Sequence, residues 1–325
     1  MLVIGYHASH EQFSPSQLLL YVRQADAAGF DAIMTADHIT PWSKRQGNSG
    51  NNRAWLGAAM SNTSLTFGSL AIPGGWRYHP VVLAHVIATV SEMFPDRLRW
   101  IAVGSGEAMN EHVVGEGWPD KAERNQRLRA GCDIVHALMK SDMPTADNPW
   151  FSVDRSQIWS RPQKLHMIYG AALSDDTADW MGVWTDGLLT VRKPREELTK
   201  MIDRFRAGGG DGKPVAVQLQ VSWGRSNEEA RKAAWDQWRV AAASPDCLAN
   251  LETAHEFDLE TQAISPEEMD DVIPLVTTAQ QVLDLIEDMK SCRVDEIYIH
   301  NVSRDQSAFL EFKASEVMPA IDRTA

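Results

Sequence analysis

The sequence predicts an α/β fold in which eight parallel strands close into a (β/α)8 barrel, a TIM barrel, with insertions. Eight short runs rich in Ile, Val and Leu alternate with amphipathic stretches along the 325 residues. Runs that are apolar nearly throughout are typical of parallel strands buried on both faces. A doubly wound sheet is the alternative, but no GxGxxG motif follows the first run. The eight units therefore favour a closed barrel.

The elements follow in order along a predicted single domain of residues 1–325. The predicted strands are residues 2–6, 32–36, 65–72, 98–103, 166–170, 187–191, 216–222 and 296–300. Capping boxes at Ser14–Gln17, Ser226–Glu229 and Thr278–Gln281 predict helix starts, with Gly29 closing the first helix. Further helices are predicted over residues 80–94, 121–139 and 194–206.

Two stretches, residues 141–162 and 241–273, interrupt this alternation and are predicted insertions that could serve as lids. The first suggests a small hairpin around Trp150 and Trp159, and the second a short capped helix from Ser265.

Composition limits the class of function. The net charge of −13 disfavours nucleic acid and anionic membranes as partners. No segment approaches the ~20 apolar residues of a membrane helix, and the N-terminus lacks a basic leader, so we expect a cytoplasmic protein with a small-molecule substrate. The three cysteines form no CxxC, and HExxH and GxSxG are absent, which predicts reduced thiols, no metal site and no serine hydrolase.

Chemistry in such a barrel lies where the strands end. Asp37 and His38 follow the second strand, with Trp42 nearby, and indicate a proton-handling group or, alternatively, two polar residues of a surface loop. Gly104-Ser105-Gly106-Glu107 follows the fourth strand. Its glycines would let a flat ring approach the backbone, and Glu107 is a candidate acid or base, unless the segment is a turn with a solvated carboxylate.

The residues that follow two further strands could either bind a ligand or cap the next helix. Arg77 and Tyr78 follow the third strand and either contact a ligand or, as we prefer, cap the next helix. The run Gly170-Ala171-Ala172-Leu173-Ser174 precedes a helix that Asp175 opens. Small residues before a helix N-terminus suit a phosphate group, and Ser174 equally suits a simple N-cap.

Combined, these motifs resemble a known family. Gly5 to Phe13, Ala36-Asp37-His38 with Pro41-Trp42, and Gly104 to Glu111 are similar to the deazaflavin-dependent glucose-6-phosphate dehydrogenase group of the luciferase-like superfamily. Arg77 to Pro80 and Phe94 to Arg97 add to the resemblance, which covers most of the chain.

The resemblance implies roles for individual residues. It makes His38 the catalytic base and Glu107 a catalytic acid, and it places Glu11, Trp42 and Trp76 against the substrate. Cofactor contacts are expected at Asp37, Leu70, Ala71, Gly106, Asn110, Gly170, Ala172, Leu173 and Ser174, the last four from the small-residue run that enters a helix. The resemblance also implies a cis peptide bond between Leu70 and Ala71 beneath the cofactor ring, although such a bond costs ~3–4 kcal/mol.

Departures from the dehydrogenases shape the expected function. Glu267 to Val272 is acidic and apolar where those enzymes bind sugar phosphate with basic residues, so sugar phosphate is a poor candidate. Gly170 to Ser174 and Ile297 to Asn301 look closer to a subfamily thought to use an ordinary flavin. We therefore expect an FMN-dependent oxidoreductase or monooxygenase acting on a small organic molecule.

Two alternatives remain, a dehydrogenase using the deazaflavin coenzyme F420 and a flavin-binding protein without turnover. A homodimer is expected through the apolar helix faces at 55–60 and 81–88.

Overall fold

Eight parallel strands close into a barrel in the computed structural model, which describes residues 2–140, 143–164 and 166–321. In chain order the strands are β1 Val3–Ala8, β2 Ala32–Thr35, β3 Thr66–Ala71, β4 Leu98–Val103, β5 Ala146–Asp147, β6 Ser152–Val153, β7 Met167–Ala171, β8 Gly187–Val191, β9 Val215–Trp223, β10 Leu275–Val276 and β11 Glu296–Asn301. The barrel order is β9-β11-β1-β2-β3-β4-β7-β8, and pairing of β8 with β9 closes it, while β10 extends β9 outside the ring. The predicted fold class is confirmed.

Large side chains fill the barrel interior opposite glycines. A Cβ atom on Gly5 would lie 2.2 Å from the Tyr298 ring, and one on Gly68 would lie 2.2 Å from the Trp100 ring. Only glycine fits these positions, because protein interiors are close-packed. Trp100 and Tyr298 then surround the carboxylate of Glu296 at the N-terminal end of the barrel.

Helices cover the outside of the barrel and are delimited largely by the predicted caps. Ser14 and Thr278 form complete capping boxes. Ser226 caps its helix through the N–H of Glu229, but the Glu229 carboxylate accepts from Arg225 N–H and not from Ser226, so that capping box is only half formed. The helices are α1 Pro15–Ala27, α2 Asn52–Ser61, α3 Pro80–Met93, α4 Ala108–Glu111, α5 Lys121–Met139, α6 Asp175–Gly182, α7 Arg195–Phe205, α8 Asn227–Trp238, α9 Pro245–Asn250, α10 Ala254–Glu260, α11 Ala279–Ser291 and α12 Gln306–Phe312.

The two irregular stretches differ in part from the prediction. β5 and β6 form the small antiparallel hairpin, with Trp150 in its turn, whereas Trp159 lies outside it and is 84% exposed. The second stretch carries α9, α10 and a 3₁₀ helix over Glu267–Asp271. That helix begins two residues after Ser265, so Ser265 is not its N-cap. The Ser265 N–H instead donates to the Glu268 carboxylate.

The implied cis bond between Leu70 and Ala71 is wrong. The described residues contain no cis peptide bond. Leu70 and Ala71 continue the parallel ladder with Ala102 and Val103, and Gly104 N–H donates to the Ala71 carbonyl. Extended trans backbone satisfies these hydrogen bonds, so nothing offsets the cost of the cis form.

The apolar faces expected to pair in a dimer largely serve the chain's own core. Trp55, Leu56 and Met60 of α2 are buried, as are Leu83 and Ile87 of α3. Val82 on α3 remains 53% exposed. The homodimer stays a prediction.

In residues 2–140, 143–164 and 166–321 every helix is too short or too polar to span a bilayer.

Candidate active site

Three side chains from different strand ends meet at the C-terminal side of the barrel. The loop after β1 supplies Glu11, the loop after β2 supplies His38, and the segment after β4 supplies Glu107. Nε2 of His38 lies 3.6 Å from Oε1 of Glu11 and 3.7 Å from Oε2 of Glu107. One imidazole nitrogen thus faces two carboxyl groups, and we call these three residues the His38 cluster. The barrel topology brings them together from positions 11, 38 and 107.

Asn110 on α4 orders the cluster. Its Oδ1 accepts the Ile39 N–H at 3.0 Å. Its Nδ2 lies 3.1 Å from Oε2 of Glu107 and 3.2 Å from Nδ1 of His38. The side-chain amide therefore uses its acceptor and both donor hydrogens within the site, and it sets the imidazole and the carboxyl group relative to each other.

The two carboxyl groups of the cluster differ in their electrostatics. Burial opposes ionisation of Glu11, but the facing His38 and His7 and a 2.7 Å hydrogen bond from Ser9 outweigh it and lower its pKa. Burial raises the pKa of Glu107 against the opposing effect of His38. A third of the Glu107 side chain remains exposed, whereas Glu11 is nearly covered. Glu11 is thus held ionised, and Glu107 can exchange a proton closer to neutral pH.

Asp37 occupies a neighbouring pocket with two arginines. Its Oδ2 lies 3.5 Å from Arg53 and 3.6 Å from Arg77, without a hydrogen-bond partner of its own. Arg77 donates to the Asp37 carbonyl at 2.8 Å and to Glu111 at 3.0 Å. The preferred capping role of Arg77 is therefore wrong, because Asp37 and Glu111 engage its guanidinium and His79 is the N-cap of α3.

An aromatic wall covers the outer side of the cluster. The ring of Trp42 lies 5.2 Å from that of His38 and 5.2 Å from that of Phe257 in α10. Phe257 packs with Met109 and Val240. Trp76, the other predicted substrate tryptophan, is buried against Trp118 and Arg127, and its indole N–H has no hydrogen-bond acceptor. The insertion at 241–273 thus packs the fully buried Phe257 against Trp42, and Trp42 supplies the apolar surface beside His38.

A polar layer lies inside the upper end of the barrel. His300 is hydrogen-bonded to Gln218 and Gln12, each at 3.1 Å, and packs against His7 with ring centroids 4.5 Å apart. Burial lowers the pKa of His7 to about 4 and that of His300 below its ordinary range. Both imidazoles are therefore neutral at physiological pH.

The predicted cofactor residues on strands face different sides. Leu70 points into the barrel interior, where it packs with Trp100 and Ala102. Ala71 belongs to the outer core between strands and helices. Gly170 lies beneath α6, because a Cβ there would come within 2.6 Å of Met181. Gly106 has a φ of +85°, which favours glycine, and begins the turn into α4.

The predicted phosphate segment ends in a capped helix. Ala172 is buried, Leu173 is 58% exposed, and Ser174 accepts the Thr177 N–H as the N-cap of α6. The capping role of Ser174 is confirmed, while a phosphate role stays a prediction. Asp175 and Asp176 place negative charge in the first turn of α6, although Lys200 pairs with Asp175 at 2.7 Å.

Several site residues escaped the sequence analysis. Arg53 lies on a helix whose pattern is typical of a core helix, and Gln218 and Phe257 come from distant elements with no local motif. His300 belongs to the run Ile297 to Asn301, from which no site role was predicted for it. Asn52 and Arg53 are polar residues among the buried positions of α2, and this was the signal in the sequence that could have pointed to Arg53. Across the described ranges, no group of three or more His, Cys, Asp or Glu side chains is arranged to hold a metal ion.

Comparison with known proteins identifies the family. The model of the luciferase-like monooxygenase family matches residues 3–296. The chain belongs to the luciferase-like monooxygenase family. As a member of this family it is an oxidoreductase, which confirms the resemblance stated from the strand-end motifs.

Individual members of the luciferase-like family match over nearly the full length. The F420-dependent glucose-6-phosphate dehydrogenase of Beutenbergia cavernae is 30% identical over 330 residues, covering 99% of this chain and 98% of that protein. A solved F420-dependent secondary alcohol dehydrogenase, in complex with an F420-acetone adduct, superposes with a TM-score of 0.91 at 25% identity and 99% coverage of both chains. The FMN complex of the oxygenating constituent of 3,6-diketocamphane monooxygenase from Pseudomonas putida superposes with a TM-score of 0.72 at 16% identity, again with 99% coverage of both chains, and shares the fold alone.

Proposed function

We propose that this chain is a deazaflavin-dependent dehydrogenase that oxidises the hydroxyl group of an uncharged substrate. The observation that carries the proposal is the full-length likeness to a dehydrogenase structure in complex with an F420-acetone adduct, together with the His38 cluster at the strand ends. The FMN-containing neighbour shares the fold alone, so the comparisons favour F420 over the FMN preferred from the sequence.

The residues present fit a deazaflavin. Asp37 Oδ2 is buried and accepts no hydrogen bond, so it can accept one from a ring N–H or O–H group. Gly104 to Glu107 are only half-buried, which leaves backbone open beside the cluster. Asp37, Leu70 and this segment would hold the ring. When bound, the deazaflavin supplies a two-electron acceptor that takes a hydride from carbon.

The chain's own groups provide proton handling and exclusion of water. A hydroxyl oxygen placed beside Nε2 of His38 would lie near both carboxyl groups of the cluster, and its proton would pass to this cluster. Trp42 covers the same spot with apolar surface, and Phe257 packs against Trp42. A covered site strengthens the hydrogen bonds inside it, because the local dielectric constant falls.

The charges of the site favour an uncharged substrate over a sugar phosphate. Glu11 and Glu107 face the reacting position, while the buried arginines that touch the site, Arg53 and Arg77, are paired with Asp37 and Glu111. Arg231 pairs with Asp270 in the acidic 3₁₀ helix. A phosphate group would therefore lie near carboxylates, and each guanidinium among these residues is already paired with a carboxylate and is not free to bind it. The partly exposed apolar ring of Trp42 suits a hydrocarbon substituent.

The cofactor assignment is tested by titrating the purified protein with F420 and with FMN and following ligand fluorescence. We expect F420 to bind more tightly, and we expect Asp37→Ala to weaken its binding because the buried acceptor is lost. A reduction of roughly 10-fold or more corresponds to a lost hydrogen bond to a charged group. Asp133→Ala, on the exposed side of α5, is the matched control. Tighter binding of FMN would overturn the cofactor assignment.

The substrate assignment is tested with F420 by following bleaching of its visible absorbance. Secondary alcohols with larger apolar substituents should give rising kcat/KM, whereas glucose 6-phosphate should give no turnover above background. Each methylene group buried against Trp42 is expected to contribute about 0.8 kcal/mol, or roughly 4-fold. Turnover of the sugar phosphate would contradict the proposed substrate. F420 binding without turnover of any alcohol would favour a binding protein over an enzyme.

A further inference from the structure

The direction of the Asn110 amide is fixed by a backbone group. Ile39 N–H can only donate, and its acceptor at 3.0 Å is Oδ1 of Asn110. Nδ2 must therefore face the other side, where it meets Oε2 of Glu107 and Nδ1 of His38. Turning the amide over would set N–H against N–H at Ile39 and leave two acceptors facing each other at Glu107.

This direction determines the protonation of His38. Because Asn110 Nδ2 donates to Nδ1, that nitrogen must carry a lone pair, and the single hydrogen of the neutral ring resides on Nε2. The surroundings of Nε2 agree, since Oε1 of Glu11 and Oε2 of Glu107 flank it at 3.6 and 3.7 Å. The opposite tautomer and the doubly protonated ring would both place an Nδ1–H against the Asn110 N–H.

We infer that Asn110 holds His38 as the neutral Nε2–H tautomer, so that His38 meets the substrate oxygen as a hydrogen-bond donor and Glu107 accepts the hydroxyl proton. Resting on the proposed function, this inference reverses the base and acid roles that the resemblance implied. Asn110 is a positioning residue, because it acts through the imidazole.

The step balances with the groups named. The O–H bond of the substrate breaks and its proton binds the Glu107 carboxylate. A bound deazaflavin would supply the acceptor for the hydride released from the C–H bond, and the freed valence of that carbon would become the C=O bond. Nε2–H of His38 donates to that oxygen throughout and stabilises the charge that develops on it. Glu107 is more exposed than Glu11 and is therefore the carboxylate within reach of a ligand.

The tautomer is measured by long-range ¹H–¹⁵N correlation NMR on cofactor-free protein labelled with ¹⁵N-histidine. The His38 signals are assigned from their loss in His38→Gln. We expect the Nε2–H pattern in the parent protein. Asn110→Asp should convert His38 to an Nδ1-protonated form, because a carboxylate can accept from both Ile39 and Nδ1–H. Asn227→Asp, an exposed position at the start of α8, adds the same charge elsewhere and should leave the pattern unchanged.

An Nδ1–H or doubly protonated His38 in the parent protein would overturn the inference, as would an unchanged pattern in Asn110→Asp. This result does not depend on which cofactor or substrate the enzyme uses, so it separates failure of the inference from failure of the proposed function.

A kinetic comparison tests the donor role. Glutamine keeps an N–H donor but cannot accept a proton, and alanine does neither. We expect His38→Gln to be on the order of 10-fold or more faster than His38→Ala, since one placed donor is worth ~10²–10³-fold. Equal rates in the two variants would return the base role to His38. In the same assay Glu107→Gln should lose turnover even though glutamine adds an N–H donor, because it cannot accept the hydroxyl proton.

Discussion

Glu107→Gln and His38→Ala are each expected to lower kcat/KM for the alcohol substrate by roughly 10²–10⁴-fold while F420 binding is kept. Glutamine at position 107 can still accept from Asn110, so the geometry survives and only proton exchange is lost. Alanine at 38 removes the ring that faces both carboxyl groups. Steady-state kinetics and a cofactor titration on the same samples separate the loss of turnover from a loss of binding.

Surface substitutions of the same type serve as controls for this prediction. Glu116 is 55% exposed and pairs with Arg127, and His85 is exposed on α3. Glu116→Gln and His85→Ala should leave kcat/KM within a factor of two or so, because exposed positions away from the site contribute little. Parent-like turnover in Glu107→Gln or His38→Ala would show that these side chains only shape the pocket.

Glu296→Ala is expected to lower the free energy of unfolding by about 3–5 kcal/mol, the range for removing one partner of a buried ion pair. The Glu296 carboxylate is 2% exposed and accepts four hydrogen bonds, from Arg99, Tyr169, Trp100 and Tyr298. Its loss leaves these donors without an acceptor inside the barrel. Urea denaturation gives the change, and Glu287→Ala on the exposed face of α11 is the matched control.

The destabilisation should depend on pH with a defined sign. Burial opposes ionisation of Glu296, but hydrogen bonds from Arg99, Tyr298 and Trp100 outweigh it and hold its pKa below the ordinary value of 4.5. The unfolded chain therefore binds a proton before the folded one does, and the stabilisation is complete above that value and lost as pH falls. The difference between parent and Glu296→Ala should shrink below about pH 4.5. A constant difference, or one no larger than the Glu287→Ala control, would contradict the role of this carboxylate.

The sequence by itself determined the barrel and the places where its chemistry lies. Strand and helix bounds follow from apolar runs and caps, which are local, and structure and prediction agree to within one or two residues for most of the barrel, as for β4 and α5. His38 and Glu107 were found because residues that follow strands of a parallel barrel share one end. Asp37 and Trp42 were found from the same strand end as His38, and Asn110 was found by resemblance, which again depends on short local motifs.

The tertiary structure decided which groups pair and therefore what each can do. Phe257 belongs to a helix far along the chain from His38, Arg53 belongs to α2, and no motif links either residue to His38. The capping preference for Arg77 failed for the same reason, because its partners Asp37 and Glu111 lie 40 and 34 residues away. The tautomer inferred for His38 rests on the direction of one backbone N–H, which depends on the angle at which α4 meets the loop after β2. Electrostatics and hydrogen-bond direction depend on distances of a few ångströms between separate elements, and a linear pattern does not encode them.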